Sequence, residues 1–594
     1  MPDDHASSGA KEIALQGIGV TTGVATGPVF LLLPEDDRIA ERDITAEEVY
    51  REIARFEEAL MDTRSQLHEI QRQVNEKLGQ ESASIFDAHL LVVDDRALVE
   101  EVIRGLERQR KNAETVLRAV ADRYAQALAS VEDDYLRERA ADIRDVTKRI
   151  LRNLSGRGSE SIAKLSQPSI LIARDLAPSE TATLNREKIL GFATDLGSPT
   201  SHTAIMARAM GIPAIVGLHD VSQRVRTGDQ VLIDGGKGML LVHPSPEHRE
   251  QYGRAEATRA TIRAELTTLR ERPAETLDGY NVILSANIEL PGDVPNVLEQ
   301  GANGVGLFRT EYLYLSRRGL PTEDEQTAIY MDVAGKLSPA QVVIRTLDLG
   351  GDKFLSQVSM PSELNPFMGW RAIRFCLAQP DIFKCQLRAI LRASIHPNIK
   401  IMYPMVSNLN EVLRANAMLD ECKTELRARG VPFNEKLEVG VMIEIPSAAI
   451  TANLIAPHVS FFSIGTNDLV QYTLAVDRVN ERIAYLYEPT HPAILKLIKN
   501  TIDVGHEHGI WTGICGEMAG NPILIPLLVG LGVDELSVSP ASAPAVKDVI
   551  RKMTFSSAER LAATALAAEN GQVIMDLCRE AVGEIAPEIL ALID

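Results

Sequence analysis

Eight short apolar runs recur through the second half of the chain. They are NVILSAN (281–287), GVGLF (304–308), VVIRT (342–346), IKIMYP (399–404), VGVMIE (439–444), FFSIG (461–465), WTGIC (511–515) and ELSVS (535–539). Each has the length and composition of a strand, and helical periodicity separates most of them. Eight β/α units in succession point to a (β/α)8 barrel, with a doubly wound open sheet as the competing arrangement.

The first half has a different texture. Residues 12–33, EIALQGIGVTTGVATGPVFLLL, read as strands punctuated by glycine. From about 45 to 155 apolar residues fall at helical spacing (Val49, Ile53, Phe56, Leu60; later Val116, Val120, Tyr124, Leu128; finally Ile143, Val146, Ile150, Leu154), and glycine and proline almost vanish. That pattern predicts an all-helical insert of long hairpins. Strand–helix alternation resumes at 169 with SILIA, ILGFAT, AIVG, QVLID and GMLLVH, so the early strands belong with these. Residues 245–273 are charged and helical and read as a connecting linker. The expected organisation is therefore an α/β domain (1–44 and 156–244) interrupted by a helical insert (45–155), then the linker, then a barrel (274–594). A chain of 594 residues is too long for one core, in keeping with this division.

A formal charge of −20 argues against nucleic acid as a partner and favours a basic one. No apolar run reaches bilayer length, and the acidic start MPDDHASSGAKEIALQG lacks signal-peptide features, so a cytoplasmic location with no membrane partner is expected. The five cysteines (376, 385, 422, 515, 578) form no C-x-x-C pair, which leaves no indication of a disulfide framework or a zinc site.

In a barrel, reactive groups gather at the C-terminal ends of the strands. Arg309 follows the second strand. Arg345 lies on the third, in VVIRTLDLGGDK, with Lys353 beyond a glycine pair. Glu444 ends the fifth, Asn467 and Asp468 follow the sixth, and Cys515 ends the seventh. Arg371 (NPFMGWRAIR) and Arg478 (AVDR) lie in neighbouring loops. Guanidinium forks bind carboxylate and phosphate in two-pronged fashion, so their convergence suits a small, multiply anionic substrate; each alone could equally be a structural ion pair. Glu444 and Asp468 end adjacent strands and can share a magnesium ion, although Asp468 could instead cap the helix it begins. Cys515 is either a small buried hydrophobe or, with an ordinary thiol pKa near 8.5, a proton donor at neutral pH.

One further stretch, GSPTSHTAIMARAMGIPAIVG (197–217), sets His202 between small hydroxyl residues at the mouth of a helical pattern. A neutral imidazole there is a nucleophile toward phosphorus, and free amides and the helix dipole would stabilise the anionic product. The plainer reading is an ordinary loop histidine.

TSHTAIMAR, FRTEYLY, LDLGGDK, NPFMGWRAIR, IGTNDLVQYTLAVDR and CGEMAG, in this order, together with DAHLLVVDD in the helical insert, closely resemble enzyme I of the bacterial phosphoenolpyruvate-dependent phosphotransferase system over nearly the whole chain. The resemblance implies that phosphoenolpyruvate and Mg2+ bind the barrel. The phosphoryl group passes to His202, then to a histidine of a small phosphocarrier protein docked on the insert, leaving pyruvate. It implies that Glu444 and Asp468 hold the metal. Arg309, Arg345, Arg478 and Asn467 hold the substrate, with Arg371 and Lys353 also in the active site. Cys515 protonates the enolate, Thr181 (DLAPSET) orients the histidine, and the barrel forms a homodimer. The family often has Gly-Gly-Arg-Thr-Ser-His before the histidine; here Ser198 and Pro199 remove a basic residue, which leaves the acceptor chemistry intact and the carrier's identity open. The dikinases that make phosphoenolpyruvate need an ATP-binding domain for which the sequence has no room. A member of the regulatory, nitrogen-related branch without its sensory domain is the alternative, and a silent scaffold is disfavoured because the motif residues are all present.

Overall fold

A computed structural model describes residues 12–21, 23–32, 41–78, 86, 89–129, 134–155, 167–176, 188–197, 204, 207, 211–315, 319–350, 365–478, 480 and 482–593. The chain divides into two compact units, residues 1–257 and 258–594.

In the first unit an eight-stranded sheet runs in the order β1-β8-β7-β3-β4-β5-β6-β2. Its strands are β1 (Ile13–Gln16), β2 (Ile18–Thr21), β3 (Val24–Leu32), β4 (Ser169–Ala173), β5 (Ile189–Thr194), β6 (Ala214–Val216), β7 (Gln230–Asp234) and β8 (Met239–Val242). The early strands do join the later ones: β3 pairs in parallel with β4, Val29 opposite Ile170. The helical segment between them therefore leaves the sheet and returns beside its point of departure. Among the described residues it holds the helices Val49–Leu78, Arg96–Gln109, Ala113–Ala129 and Asp134–Leu154. Phe56, Leu67, Val102, Leu106, Val116 and Ile150 form its buried core, which is the apolar face that the periodicity predicts.

In the second unit eight parallel strands close into a barrel, so the open-sheet alternative does not hold. They are β9 (Ile283–Ile288), β10 (Gly304–Phe308), β11 (Gln341–Arg345), β12 (Ile399–Tyr403), β13 (Val439–Ile443), β14 (Phe461–Ile464), β15 (Trp511–Ile514) and β16 (Glu535–Val538), each on one of the eight apolar runs. Closure comes from β16 against β9, with Leu536 opposite Leu284 and Val538 opposite Ala286. The connecting helices carry their own start signals. Thr322 with Glu325, and Asn408 with Glu411, form capping boxes that satisfy the first free amides of Glu323–Leu337 and Leu409–Ala428.

Two features lie toward the N-terminal ends of the strands. Glu535 is buried there, accepts a hydrogen bond from the Gln341 amide and lies within the field of Lys400; burial pushes its carboxyl up to about 7, against the pull of Ser285 and Lys400. The buried Lys547 ammonium donates to the carbonyls of Arg270 (2.9 Å) and Gly301 (2.6 Å). The linker is helical over Pro246–Thr267, but it is not solvated throughout: Ile262 and Leu266, one turn apart, are buried in the barrel unit's core. Among the described residues no helix is long and apolar enough to cross a membrane.

Candidate active site

The C-terminal strand ends bring most of the expected residues together. Arg345, the last residue of β11, is largely buried and doubly paired: Nη2 meets Glu311 Oε1 at 2.9 Å and Nη1 meets Asp348 Oδ2 at 3.0 Å. Arg371 grips the same Asp348 bidentately, Nη2 donating to Oδ1 at 2.8 Å and to Oδ2 at 2.9 Å, with Nε to Oδ1 at 3.1 Å. Its Nη2 also lies 3.5 Å from Asp468 Oδ2. Burial alone would ease both guanidinium groups toward neutrality, but the surrounding carboxylates outweigh it and hold them charged.

Glu444 follows β13 and is only 2% exposed; its Oε1 accepts the Met405 amide at 2.5 Å. Burial raises its pKa well above the usual carboxylate range, and the charges of Asp468 and Asp348 raise it further. Asp468 lies in the first turn of the helix Thr466–Leu474. Burial raises its pKa too, with Asp348 adding to the effect and Arg371 opposing it. Around Arg345 and Arg371 stand the carboxyl groups of Glu311, Asp348, Glu444 and Asp468. Fully ionised, they exceed the two cations by two charges. A divalent cation would restore balance, and oxygen donors are the ligands that magnesium takes. Among the described residues no group of three or more His, Cys, Asp or Glu side chains is arranged to hold a metal ion.

Three buried polar atoms at these strand ends have no hydrogen-bond partner among the described residues: Arg345 Nε, Thr346 Oγ1 and Thr466 Oγ1. Buried donors are rarely left unpaired, so their clustering fits a site that awaits a polar ligand.

The outer residues are engaged by acids as well. Arg309 Nη1 meets Glu289 at 2.5 Å. Asn467 donates to Glu517 Oε1 at 2.9 Å and accepts the Glu517 amide at 2.8 Å, while Arg478 Nη1 lies 3.3 Å from the same Oε1. Cys515 is buried with Leu307, Val343, Met402, Met442 and Phe461. Burial pushes its thiol up to about 11, so it is protonated across the neutral range; the charges of Glu444, Arg345 and Arg309 also reach it. Its carbonyl accepts the Asn287 side-chain amide at 3.1 Å. His202, Thr181, Lys353, Ser198 and Pro199 lie outside the described residues. The nearest described positions after His202, Ala204 and Ala207, are helical and buried.

Sequence reasoning missed Glu289, Glu311, Asp348, Glu517 and Asn287. All but Asn287 and Glu289 stand inside quoted motifs (FRTEYLY, LDLGGDK, CGEMAG), so motif membership was the available signal.

Three family models match in chain order: PEP-utilising enzyme, N-terminal, over residues 16–139; PEP-utilising enzyme, mobile domain, over 165–238; and PEP-utilising enzyme, PEP-binding domain, over 263–555. Among curated proteins the chain is similar to a phosphoenolpyruvate-protein phosphotransferase of Geobacillus stearothermophilus, at 45% identity over 96% of this chain and 98% of that one. Proteins of the same name match from Listeria innocua, at 43% over 97% and 100%, and from Staphylococcus aureus, at 42% over 95% and 98%.

Proposed function

Because the chain belongs to the phosphoenolpyruvate-protein phosphotransferase family, we propose that its barrel binds phosphoenolpyruvate at the C-terminal strand ends and that the phosphoryl group moves from there to His202. The observation that carries this reading is the pair Arg345 and Arg371, largely buried, held charged and set beside the carboxylates Glu444 and Asp468. Arg309, Arg345, Arg371, Arg478, Asn467 and Lys353 bind the phosphate and carboxylate ends of the substrate. Glu444 and Asp468 hold Mg2+, which when bound neutralises substrate oxygens. An imidazole nitrogen of His202, oriented by Thr181, forms a bond to phosphorus as the bridging P–O bond breaks. The electron pair passes to the enolate oxygen, and Cys515 gives its thiol proton to the terminal carbon to yield pyruvate. A thiol that burial keeps protonated suits that task.

The phosphohistidine then gives its group to a histidine of a small phosphocarrier protein docked on the helical insert, the first step of a sugar phosphotransfer relay. His202 belongs to the unit ending at Ala257 and the arginines to the unit beginning at Thr258. Transfer needs reacting atoms about 3–3.5 Å apart, so the histidine must visit the barrel and the carrier in turn. A homodimer through the barrel and a cytoplasmic location complete the reading. The regulatory, nitrogen-related branch is less well supported, since relatives at 42–45% identity carry the general name. The test is incubation with phosphorus-labelled phosphoenolpyruvate, with and without a Mg2+ chelator. Acid-labile, base-stable label on the protein, lost on chelation, is expected; an unlabelled chain refutes the activity, and label that survives chelation refutes the metal site.

A further inference from the structure

Asp348 stands beyond β11, is buried, and is, among the described residues, the one carboxylate paired with both Arg345 and Arg371. It is itself fixed. Its backbone amide donates to Glu311 Oε1 at 3.0 Å, the same oxygen that pairs with Arg345 at 2.9 Å. Two contacts tie the residues after Asp348 to those around Arg371: Gly350 and Arg371 form an antiparallel bridge, and the Ala372 amide donates to the Leu349 carbonyl at 3.2 Å. Ala372 takes a left-handed φ of 54° to do so. This lacing returns the chain so that the Arg371 guanidinium meets Asp348 with three donor contacts.

Arg371 has a second carboxylate within reach, Asp468 Oδ2 at 3.5 Å, and a phenol, Tyr472, at 3.4 Å. Bidentate pairing with Asp348 is the shorter and stronger arrangement. Remove the Asp348 charge, and Asp468 is the nearest carboxylate left to Arg371 among the described residues. Asp468 would then be engaged by a guanidinium when a cation should have it.

We propose that Asp348 is a positioning residue: it holds Arg345 and Arg371 as a pair at the strand ends and limits Arg371 to a long, 3.5 Å contact with Asp468, so that Asp468 stays available to a divalent cation. The role rests on the phosphotransfer reading for its use in catalysis, and on the described contacts for its geometry.

Asp348→Asn keeps the shape and removes the charge. Calorimetric titration of the full chain with Mg2+ should show affinity reduced about tenfold or more, with the melting temperature within a few degrees of the parent's. Loss of any nearby negative charge weakens cation binding somewhat, so the deciding measurement is a double-mutant cycle with Arg371→Gln. If Arg371 moves onto Asp468 in Asp348→Asn, then Arg371→Gln restores Mg2+ affinity several-fold more in that background than in the parent. Equal effects of Arg371→Gln in both backgrounds, or parental Mg2+ affinity in Asp348→Asn, overturn the role. Asp348→Glu keeps the charge and serves where the asparagine variant fails to fold: near-parental affinity is expected, and a tenfold loss counts against the proposal. Absence of label on the parent chain would refute phosphotransfer separately, while the calorimetric cycle still decides what Asp348 does for the cation.

Discussion

Gly465 lies between β14 and the helix that carries Asn467 and Asp468, and one methyl group added there would press on Glu444, one of the two proposed Mg2+ ligands. Its φ of −82° and ψ of 82° are accessible to alanine, so the Gly465→Ala substitution tests space and not backbone strain. The new Cβ would sit 2.7 Å from Glu444 Oε2, 3.0 Å from Glu444 Cβ and 3.2 Å from Met442 Cγ. Ordinary contact requires the carboxylate oxygen to retreat by on the order of 0.5–0.8 Å. Glu444 has little freedom to do so, because Met405 holds its other oxygen at 2.5 Å. Magnesium tolerates only about 0.2 Å of error in its oxygen distances, so a retreat of that size takes one ligand out of range. The Mg2+ concentration for half-maximal phosphotransfer should rise roughly 10- to 100-fold, in line with the loss of a ligand's support. Overpacking should cost about 1–3 kcal/mol, a shift of a few degrees in melting temperature. Gly292→Ala, where the added methyl meets nothing within 4 Å, is the control and should change neither quantity. A folded Gly465→Ala protein with the parental Mg2+ response would show that Glu444 does not ligate the metal.

Three other outcomes are expected. Cys515→Ala should lower kcat about 10²- to 10⁴-fold with little change in substrate affinity, as befits loss of a proton donor; normal turnover in steady-state assays returns the thiol to the core. His202→Ala should take no label from phosphoenolpyruvate while melting like the parent, and a labelled variant sinks the acceptor assignment. Glu535 has a folded-state carboxyl raised from 4.5 to about 7, so its protonated form stabilises the fold below about pH 4.5 and that contribution is lost as pH rises through 7, up to roughly 3 kcal/mol. Glu535→Gln should therefore gain melting temperature relative to the parent at pH 8 and not at pH 4, and an equal difference at both refutes a buried titrating carboxylate.

The barrel was legible because its physics is local. Every residue of β10, GVGLF, is buried, and a short run covered on both faces must be apolar throughout. Arg309, Arg345, Glu444, Asp468 and Cys515 could be assigned to one end of the barrel because each ends or closely follows such a run. What could not be read was the pairing. Glu311 and Asp348 are acids close to Arg309 and Arg345 in sequence, and acids near arginines are ordinary on solvated surfaces; Glu517 and its partner Arg478 are far apart along the chain. Only the bridge between Gly350 and Arg371 makes Asp348 the shared partner of two guanidinium groups, and only burial turns that into a constraint on Glu444 and Asp468. The linker misled for a related reason. Its composition is charged, so it reads as solvated; the spacing of Ile262 and Leu266 was the available sign that one face is covered.

That covered face decides where the chain can be cut. Ile262 and Leu266 are integral to the barrel unit's core, and the Arg270 carbonyl anchors Lys547. A fragment opening at residue 274, the expected start of the barrel domain, would lose all three and expose the surface they cover, at about 1.5–3 kcal/mol for each apolar side chain. A fragment opening at Thr258 keeps them. Limited proteolysis of the intact protein should likewise spare the last two turns of this helix and reach the bonds upstream of Ile262 first.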